Sequence, residues 1–286
     1  MCQLLGMNSA NPADVRFSFT GFAARGGLTD HHGDGFGVGF FEDKACRLFM
    51  DNQPASASPV ADLIKNYPIK SRNVVAHIRK ATQGDALRLE NCHPFTRELW
   101  GRHWLFAHNG DLKGFRPALT GDYLPVGSTD SELAFCDIMQ TLRAVSPPMC
   151  KNGATSVQPC SLDSVFDALC ETTQRTAEHG VFNYLLSNGQ AMFAHCSTRL
   201  WYLVRQWPFS NAQLVDADLS MDFAQTNASN DRLCIIATQP LTRNENWQQL
   251  DAGQLLWIEG GHIVRREQLQ VSGEVRRRNE ENLACV

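Results

Sequence analysis

The sequence predicts an α+β fold with largely antiparallel sheets. Three observations carry that expectation. Short apolar runs of strand length recur through the chain, and several of them flank glycine-bearing turns. The helical stretches are few and do not alternate with strands in the βαβα order of a parallel sheet.

Taken in order, Asp14 to Arg25 reads as a helix, with apolar Val15, Phe19, Phe22 and Ala23 and a stop near Gly26-Gly27. Gly37-Val38-Gly39-Phe40-Phe41 and Cys46-Arg47-Leu48-Phe49-Met50 flank a short polar turn and read as a hairpin. Pro59 to Lys65 is a short helix. Val74 to Ile78 and Trp104 to His108 are apolar strands. Thr129-Asp130-Ser131-Glu132 opens a helix over Leu133 to Val145. Its Thr129 and Glu132 have the spacing of a capping box. Ser161 to His179 is a longer helix, with Leu162, Val165, Phe166, Leu169 and Cys170 on one face and Gly180 as its stop. Val181 to Ser187 and Ala191 to His195 flank Asn188-Gly189, a strong hairpin signal. Leu200 to Arg205 and Leu233 to Thr238 follow as strands. Leu255 to Ile258 and His262 to Arg265 bracket Gly260-Gly261 as a last hairpin.

Pro147 to Pro159 is the one linker-like stretch, and no fixed-period repeat appears. The expected organisation is one domain over residues 1–270 and a polar tail over 271–286. A chain of 286 residues, 43% hydrophobic and 20% charged, suits a globular protein. A formal net charge of -4 gives no reason to expect nucleic acid or an anionic membrane as partner. No apolar run approaches the roughly 20 residues that span a bilayer. The ten cysteines include no CxxC pair, and several sit in apolar runs such as Leu233-Cys234-Ile235-Ile236. Free thiols behave there as small buried hydrophobes, and a reduced, cytoplasmic protein is the expectation.

The chemistry begins at the second residue. Removal of Met1 makes Cys2 the N-terminus, with a thiol and a free α-amine on one residue. The thiolate is a strong nucleophile, and an α-amine titrates near ~7.7–8.0, close to the pH at which a general base works best. Four polar clusters could complete such a site. His77-Ile78-Arg79-Lys80-Ala81-Thr82-Gln83-Gly84 leaves a strand, and the planar fork of Arg79 suits a carboxylate as well as a surface ion pair. Asn91-Cys92-His93-Pro94 places a histidine before a proline. His108-Asn109-Gly110 is a turn signal, and also a side-chain amide and a backbone N–H able to form an oxyanion hole. Capping leaves Asp130 free on the first helical turn to meet an ammonium group. His31-His32-Gly33-Asp34 is the densest histidine cluster, yet no HExxH or spaced Cys/His set accompanies it, so no metal is expected. No GxGxxG or Walker pattern calls for a nucleotide, and no cofactor is expected.

Cys2, the Arg79 loop, Asn91-Cys92-His93-Pro94, His108-Asn109-Gly110 and Thr129-Asp130-Ser131-Glu132 occur in this order. Together they resemble the class II glutamine amidotransferases, N-terminal-nucleophile hydrolases with an N-terminal cysteine, and most of all the stand-alone bacterial members. Phe17 to Gly21, His93 to Gly101 and Ala237 to Thr242 extend the likeness from residue 1 to about 267.

The resemblance implies a four-layer αββα fold with two stacked, mainly antiparallel sheets. It implies that Cys2 attacks the glutamine side-chain amide through a thioester, its α-amine relaying the proton. Asn109 and the Gly110 N–H would hold the oxyanion. Arg79 would bind the substrate carboxylate and Asp130 its ammonium, with Thr82 and His93 lining the pocket. Lys80 and Gln83 depart from the hexosamine-forming branch, where tryptophan and histidine stand. Other members pass ammonia to a fused or partner acceptor site. No acceptor motif is evident here, so a separate ammonia-acceptor enzyme is the implied partner. Two alternatives share the motifs: a γ-glutamyl-peptide hydrolase of the ergothioneine-pathway type, and a module that senses glutamine without turnover.

Overall fold

The computed structural model describes residues 2–80, 88–145 and 160–270; the linker-like stretch over 147–159 and the tail from 271 lie outside them. The chain runs through β1 (Gln3–Asp14), α1 (Arg16–Ala24), β2 (Phe36–Glu42), β3 (Ala45–Asp51), α2 (Pro59–Asn66), β4 (Lys70–Ile78), β5 (Phe95–Leu99), β6 (Arg102–Leu112) and α3 (Asp130–Ala144). It continues through α4 (Leu162–Ala177), β7 (Gly180–Ser187), β8 (Ala191–Cys196), β9 (Trp201–Gln206), β10 (Asn211–Gln213), β11 (Ser220–Asp222), β12 (Arg232–Ala237), β13 (Gln248–Gln249), β14 (Gln254–Glu259) and β15 (His262–Gln268).

A seven-stranded sheet has the order β13-β9-β12-β1-β4-β2-β3, and a six-stranded sheet the order β15-β14-β8-β7-β6-β5. Every pairing within them is antiparallel. Alternation along the strands sorts the core into three apolar layers. Val74, Ala76 and Ile78 face outward from the first sheet onto Phe19 and Phe22 of α1 and Ala61 and Ile64 of α2. Leu4, Val75 and Ile236 face inward and meet Leu105, Ala107, Leu185 and Leu256 of the second sheet. Phe106, Tyr184 and Phe193 face outward from the second sheet onto Phe135 and Leu142 of α3 and Phe166 of α4. The result is α, β, β, α, four layers deep. Each fully buried Phe or Leu contributes roughly 1.5–3 kcal/mol, so the three layers carry the fold.

The hairpin signals hold. Gly260 and Gly261 both have positive φ (56° and 74°), as a two-residue turn between right-twisted strands requires. The central strand β1 is the main element absent from the sequence reading. Its run Gln3 to Asp14 holds Gly6, Asn8, Ser9, Asn11 and Pro12, with no alternation. It is buried on both faces, so polar and apolar sides are not separated. Gly6 is there because the second sheet presses on it: a Cβ would stand 2.8 Å from Met192 Sδ. Asn8 spends its amide on Asn73 Oδ1 at 2.8 Å and accepts from the Gly261 N–H at 2.8 Å.

The capping box is half formed. Thr129 caps α3 by accepting from the Glu132 N–H at 3.2 Å. Glu132 does not reach back to Thr129. Its carboxylate accepts from the Gly127 N–H at 2.7 Å and pairs with Arg97 at 2.6 Å.

Candidate active site

The apolar layer between the sheets ends in polar residues, and simple alternation says which. Leu4, Val75, Ala107, Leu185 and Ile236 point into that layer. One period further along the same faces stand Cys2, His77, Asn109, Asn183 and Thr238, and Arg79 follows His77. The registers Leu4 to His77, Gln3 to Ile78 and Asn109 to Asn183 keep these residues level. His77 is fully buried where the two sheets meet, and neither of its ring nitrogens has a hydrogen-bond partner among the described residues. The two sheets therefore close on one polar end.

Cys2 is half-buried at the entry of β1. Its Sγ accepts from the Lys80 N–H at 3.3 Å and lies 3.5 Å from the Lys80 carbonyl, to which the thiol donates. Burial pushes the thiol above its ordinary value, while the Lys80 N–H and the Arg79 guanidinium pull against it. The strand behind Cys2 is fixed on its other side by Thr238. Its Oγ1 accepts from the Leu4 N–H at 2.9 Å, and its own N–H donates to the Leu4 carbonyl at 3.1 Å. Arg25, itself buried, holds the following Gln239 and Pro240 carbonyls at 3.1 and 2.6 Å. Arg79 is buried, and its main chain pairs with the approach to β2: its N–H donates to Gly35 at 2.8 Å.

Asn109 is buried, and neither its Oδ1 nor its Nδ2 has a hydrogen-bond partner among the described residues. Such a group costs about 1–3 kcal/mol, and native folds keep few without a use. Gly110 beside it is exposed. It has to be glycine, since a Cβ would stand 1.7 Å from the Val181 carbonyl oxygen.

Asp130 opens α3 below this turn. One carboxylate oxygen accepts from the Leu112 N–H at 2.6 Å and the other from the Ser131 N–H at 2.7 Å. Asp130 is thus tethered rather than free as the sequence suggested, but a carboxylate has about four acceptor sites and keeps lone pairs for a ligand. Ser131 Oγ meets His108 Nδ1 at 2.8 Å, and His108 Nε2 donates to the Val181 carbonyl at 3.0 Å. The second bond fixes the tautomer: the proton is on Nε2, and Nδ1 accepts from Ser131.

His93 is buried with its ring 4.2 Å from that of His77 and 4.4 Å from Phe95, centroid to centroid. Burial holds His93 well below the usual imidazole range, pushes His77 down to about 3, and lowers His108. All three imidazoles are neutral at pH 7. Thr82 and Gln83 lie outside the described residues. Among the described residues no three His, Cys, Asp or Glu side chains converge as metal ligands would. No helix among them is long and apolar enough to cross a membrane.

The structure thus gathers Cys2, Arg79, His93, Asn109, Gly110 and Asp130 around one end of the inter-sheet layer. Sequence reasoning passed over Asn183. Its one signal is a lone amide inside the run Val181-Phe182-Asn183-Tyr184-Leu185-Leu186, where a polar residue has to find buried partners.

The family model described as glutamine amidotransferases class-II matches residues 1–282. A Haemophilus influenzae protein named "Putative glutamine amidotransferase" is 49% identical over 92% of this chain and 86% of its own length. Escherichia coli K12 "Putative glutamine amidotransferase YafJ" is 47% identical over 92% of this chain and all of its own. A crystal structure titled as a predicted glutamine amidotransferase from Pseudomonas aeruginosa PA01 superposes with a TM-score of 0.71, at 38% identity over 92% of this chain and 100% of that one. The glutamine phosphoribosylpyrophosphate amidotransferase of B. subtilis shares the fold, with a TM-score of 0.52 at 12% identity, over 95% of this chain and 50% of that one. The chain belongs to the class II glutamine amidotransferases.

Proposed function

We propose that the mature chain hydrolyses the side-chain amide of glutamine through a thioester on Cys2, releasing ammonia and glutamate. The observation that carries this reading is the unbonded Asn109 amide, beside the Gly110 N–H and on the face of β6 that Ala107 turns into the inter-sheet layer with Leu4.

With Met1 removed, the Cys2 α-amine takes the thiol proton, and the thiolate attacks the γ-carbonyl carbon. A thiol raised by burial needs such a base beside it. Negative charge moves to the carbonyl oxygen, where Asn109 Nδ2 and the Gly110 N–H donate to it. The amine returns the proton to the leaving nitrogen, the C–N bond breaks, and ammonia departs. Water then adds to the thioester, the C–S bond breaks, and glutamate leaves with the thiol restored. Arg79 grips the substrate α-carboxylate and Asp130 its ammonium through the lone pairs it has left, while His93 and Thr82 line the pocket. The ammonia goes to an acceptor enzyme.

The test is release of glutamate and ammonia from glutamine by mature protein, with Cys2→Ala as control, alongside intact mass after treatment with an electrophilic glutamine analogue. Turnover by wild type, none by Cys2→Ala, and one label on a chain lacking Met1 are expected. Preference for γ-glutamyl peptides over glutamine by tenfold or more would change the substrate to a γ-glutamyl amine. No turnover of any amide donor by a Met1-free chain would overturn the reading.

A further inference from the structure

We infer that Asn183 is the positioning residue of the oxyanion peptide: its side-chain amide aims the Gly110 N–H. The inference rests on the oxyanion role proposed above for Asn109 and Gly110, and it assigns a side chain that reinforces the direction the β6–β7 ladder gives their shared peptide.

Asn183 lies on β7 directly opposite Asn109 and is fully buried. Its Nδ2 donates to the Asn109 carbonyl at 3.1 Å and to Thr198 Oγ1 at 2.8 Å. Its Oδ1 accepts from the Ser197 N–H at 2.9 Å and the Thr198 N–H at 3.0 Å. An amide side chain has two donor hydrogens and two acceptor lone pairs, and all are used. The rotamer is held from both ends.

The carbonyl of Asn109 and the N–H of Gly110 belong to one planar trans peptide and point in opposite directions. A donor pulling that carbonyl toward β7 therefore turns the Gly110 N–H away from β7. A second observation gives the same direction. Phe182, opposite Gly110, sends its N–H to Ser197 Oγ at 3.0 Å and its carbonyl to His195 Nδ1 at 2.6 Å. Residues facing each other in an antiparallel ladder either bond one another or both turn outward. Phe182 turns toward β8, so Gly110 turns toward the other edge of β6. There the ladder to β5 begins only at Phe106, level with Phe95, and leaves Gly110 without a strand partner. The N–H emerges at an open edge beside the Asn109 side chain.

Ser197 and Thr198 lie in the connection from β8 to β9, which crosses from the second sheet to the first. Asn183 thereby references the oxyanion peptide to the sheet that carries Cys2. A donor must sit within a few tenths of an ångström of its target to favour the transition state over the ground state, and such precision comes from supports of this kind.

The experiment compares mature wild type, Asn183→Ala, Asn183→Asp, Thr198→Val and Asn109→Ala, each checked for a cooperative thermal transition. The readouts are kcat and KM for glutamine and the rate of Cys2 alkylation by iodoacetamide, a reaction that forms no oxyanion. For folded Asn183 variants kcat is expected to fall about 10–100-fold, with KM within threefold and alkylation within twofold of wild type. Thr198→Val, which removes one of the three bonds that hold the Asn183 side chain to Ser197 and Thr198, is expected to lose about 3–10-fold in kcat and serves alone where the Asn183 variants do not fold. A kcat within threefold of wild type for the Asn183 variants, or equal losses in turnover and alkylation, would overturn the inference. Should Asn109→Ala keep its kcat, the oxyanion reading beneath it falls instead.

Discussion

The carbonyl oxygen of His93 lies 2.3 Å from where a β-carbon on Gly37 would stand. Gly37 pairs with His77 across β2 and β4, and the His77 ring lies against that of His93, tilted by 50°. A single missing methyl group lets the His93 turn dock on the sheet next to the Arg79 strand. Gly37→Ala cannot be absorbed by a flexible side chain, because the obstacle is backbone. Loss of about 2–3 kcal/mol in guanidinium unfolding is expected, with a raised KM for glutamine as the His93 wall moves. An unchanged unfolding midpoint would show that the turn docks otherwise.

Asn109 offers an unusual separation of stability from activity. Its amide makes no hydrogen bond within the described protein, so Asn109→Ala removes a cost rather than a contact. The expected outcome is a melting temperature equal to or above wild type, with kcat lowered about 10²–10³-fold as for loss of one oxyanion donor. Calorimetry and steady-state glutaminase assays check it. A clear drop in melting temperature would mean the amide has a structural partner.

Glu132 is buried against Arg97 and carries the Gly127 turn on its second oxygen. Glu132→Gln keeps an acceptor for Gly127 but strands the arginine charge. Destabilisation of about 2–4 kcal/mol is expected, and Arg97→Met in the same chain should recover part of it. The double-mutant cycle reads this directly; simple additivity of the two changes would exclude a coupled pair.

Acid should destabilise the fold earlier than carboxylates alone would make it. His77 is pushed down to about 3 and His195 to about 4, both by burial, and His93 and His108 are lowered as well. These groups are neutral in the fold and take up protons on unfolding. Above pH 6.5 neither state binds them and stability does not change; below it the unfolded state is favoured, progressively down to the folded values. His77 and His195 together imply a slope of roughly 2–3 kcal/mol per pH unit near pH 5. Urea unfolding at pH 7, 6 and 5 measures it. His77→Gln should remove about half of that two-histidine slope, and an unaltered slope would mean that His77 is charged in the fold.

The sites at strand ends were legible in the sequence because apolar runs break there into polar, glycine-bearing stretches. Val74-Val75-Ala76-His77-Ile78-Arg79 and Trp104-Leu105-Phe106-Ala107-His108-Asn109 each show where a buried strand reaches a surface. What stayed hidden is polar and buried in the middle of elements. β1 escapes because Asn8 is satisfied from a neighbouring strand and Ser9 by the Asn11 carbonyl of its own strand, which erases its period. Asn183 escapes for the same reason. Glu132 was assigned to its own helix because local spacing cannot see Arg97 thirty-five residues away. Local rules read segments; long-range hydrogen bonds decide which segment ends meet.

The central place of β1 has a consequence for biosynthesis. Cys2 leads a strand held on one side by β4 and on the other by β12, whose residues pair with it through Leu5 and Ala237 and end at Thr238. A nascent chain emerges amino end first, so the thiol leaves the ribosome long before its second neighbour exists. Until residue 238 is out, the β12 flank of the Cys2 strand stays unclamped. β1 is made well before the β12 strand that completes it, a high-contact-order arrangement that delays its closure. Synthesis itself thereby withholds the finished surroundings of Cys2 until both strands that flank β1 exist.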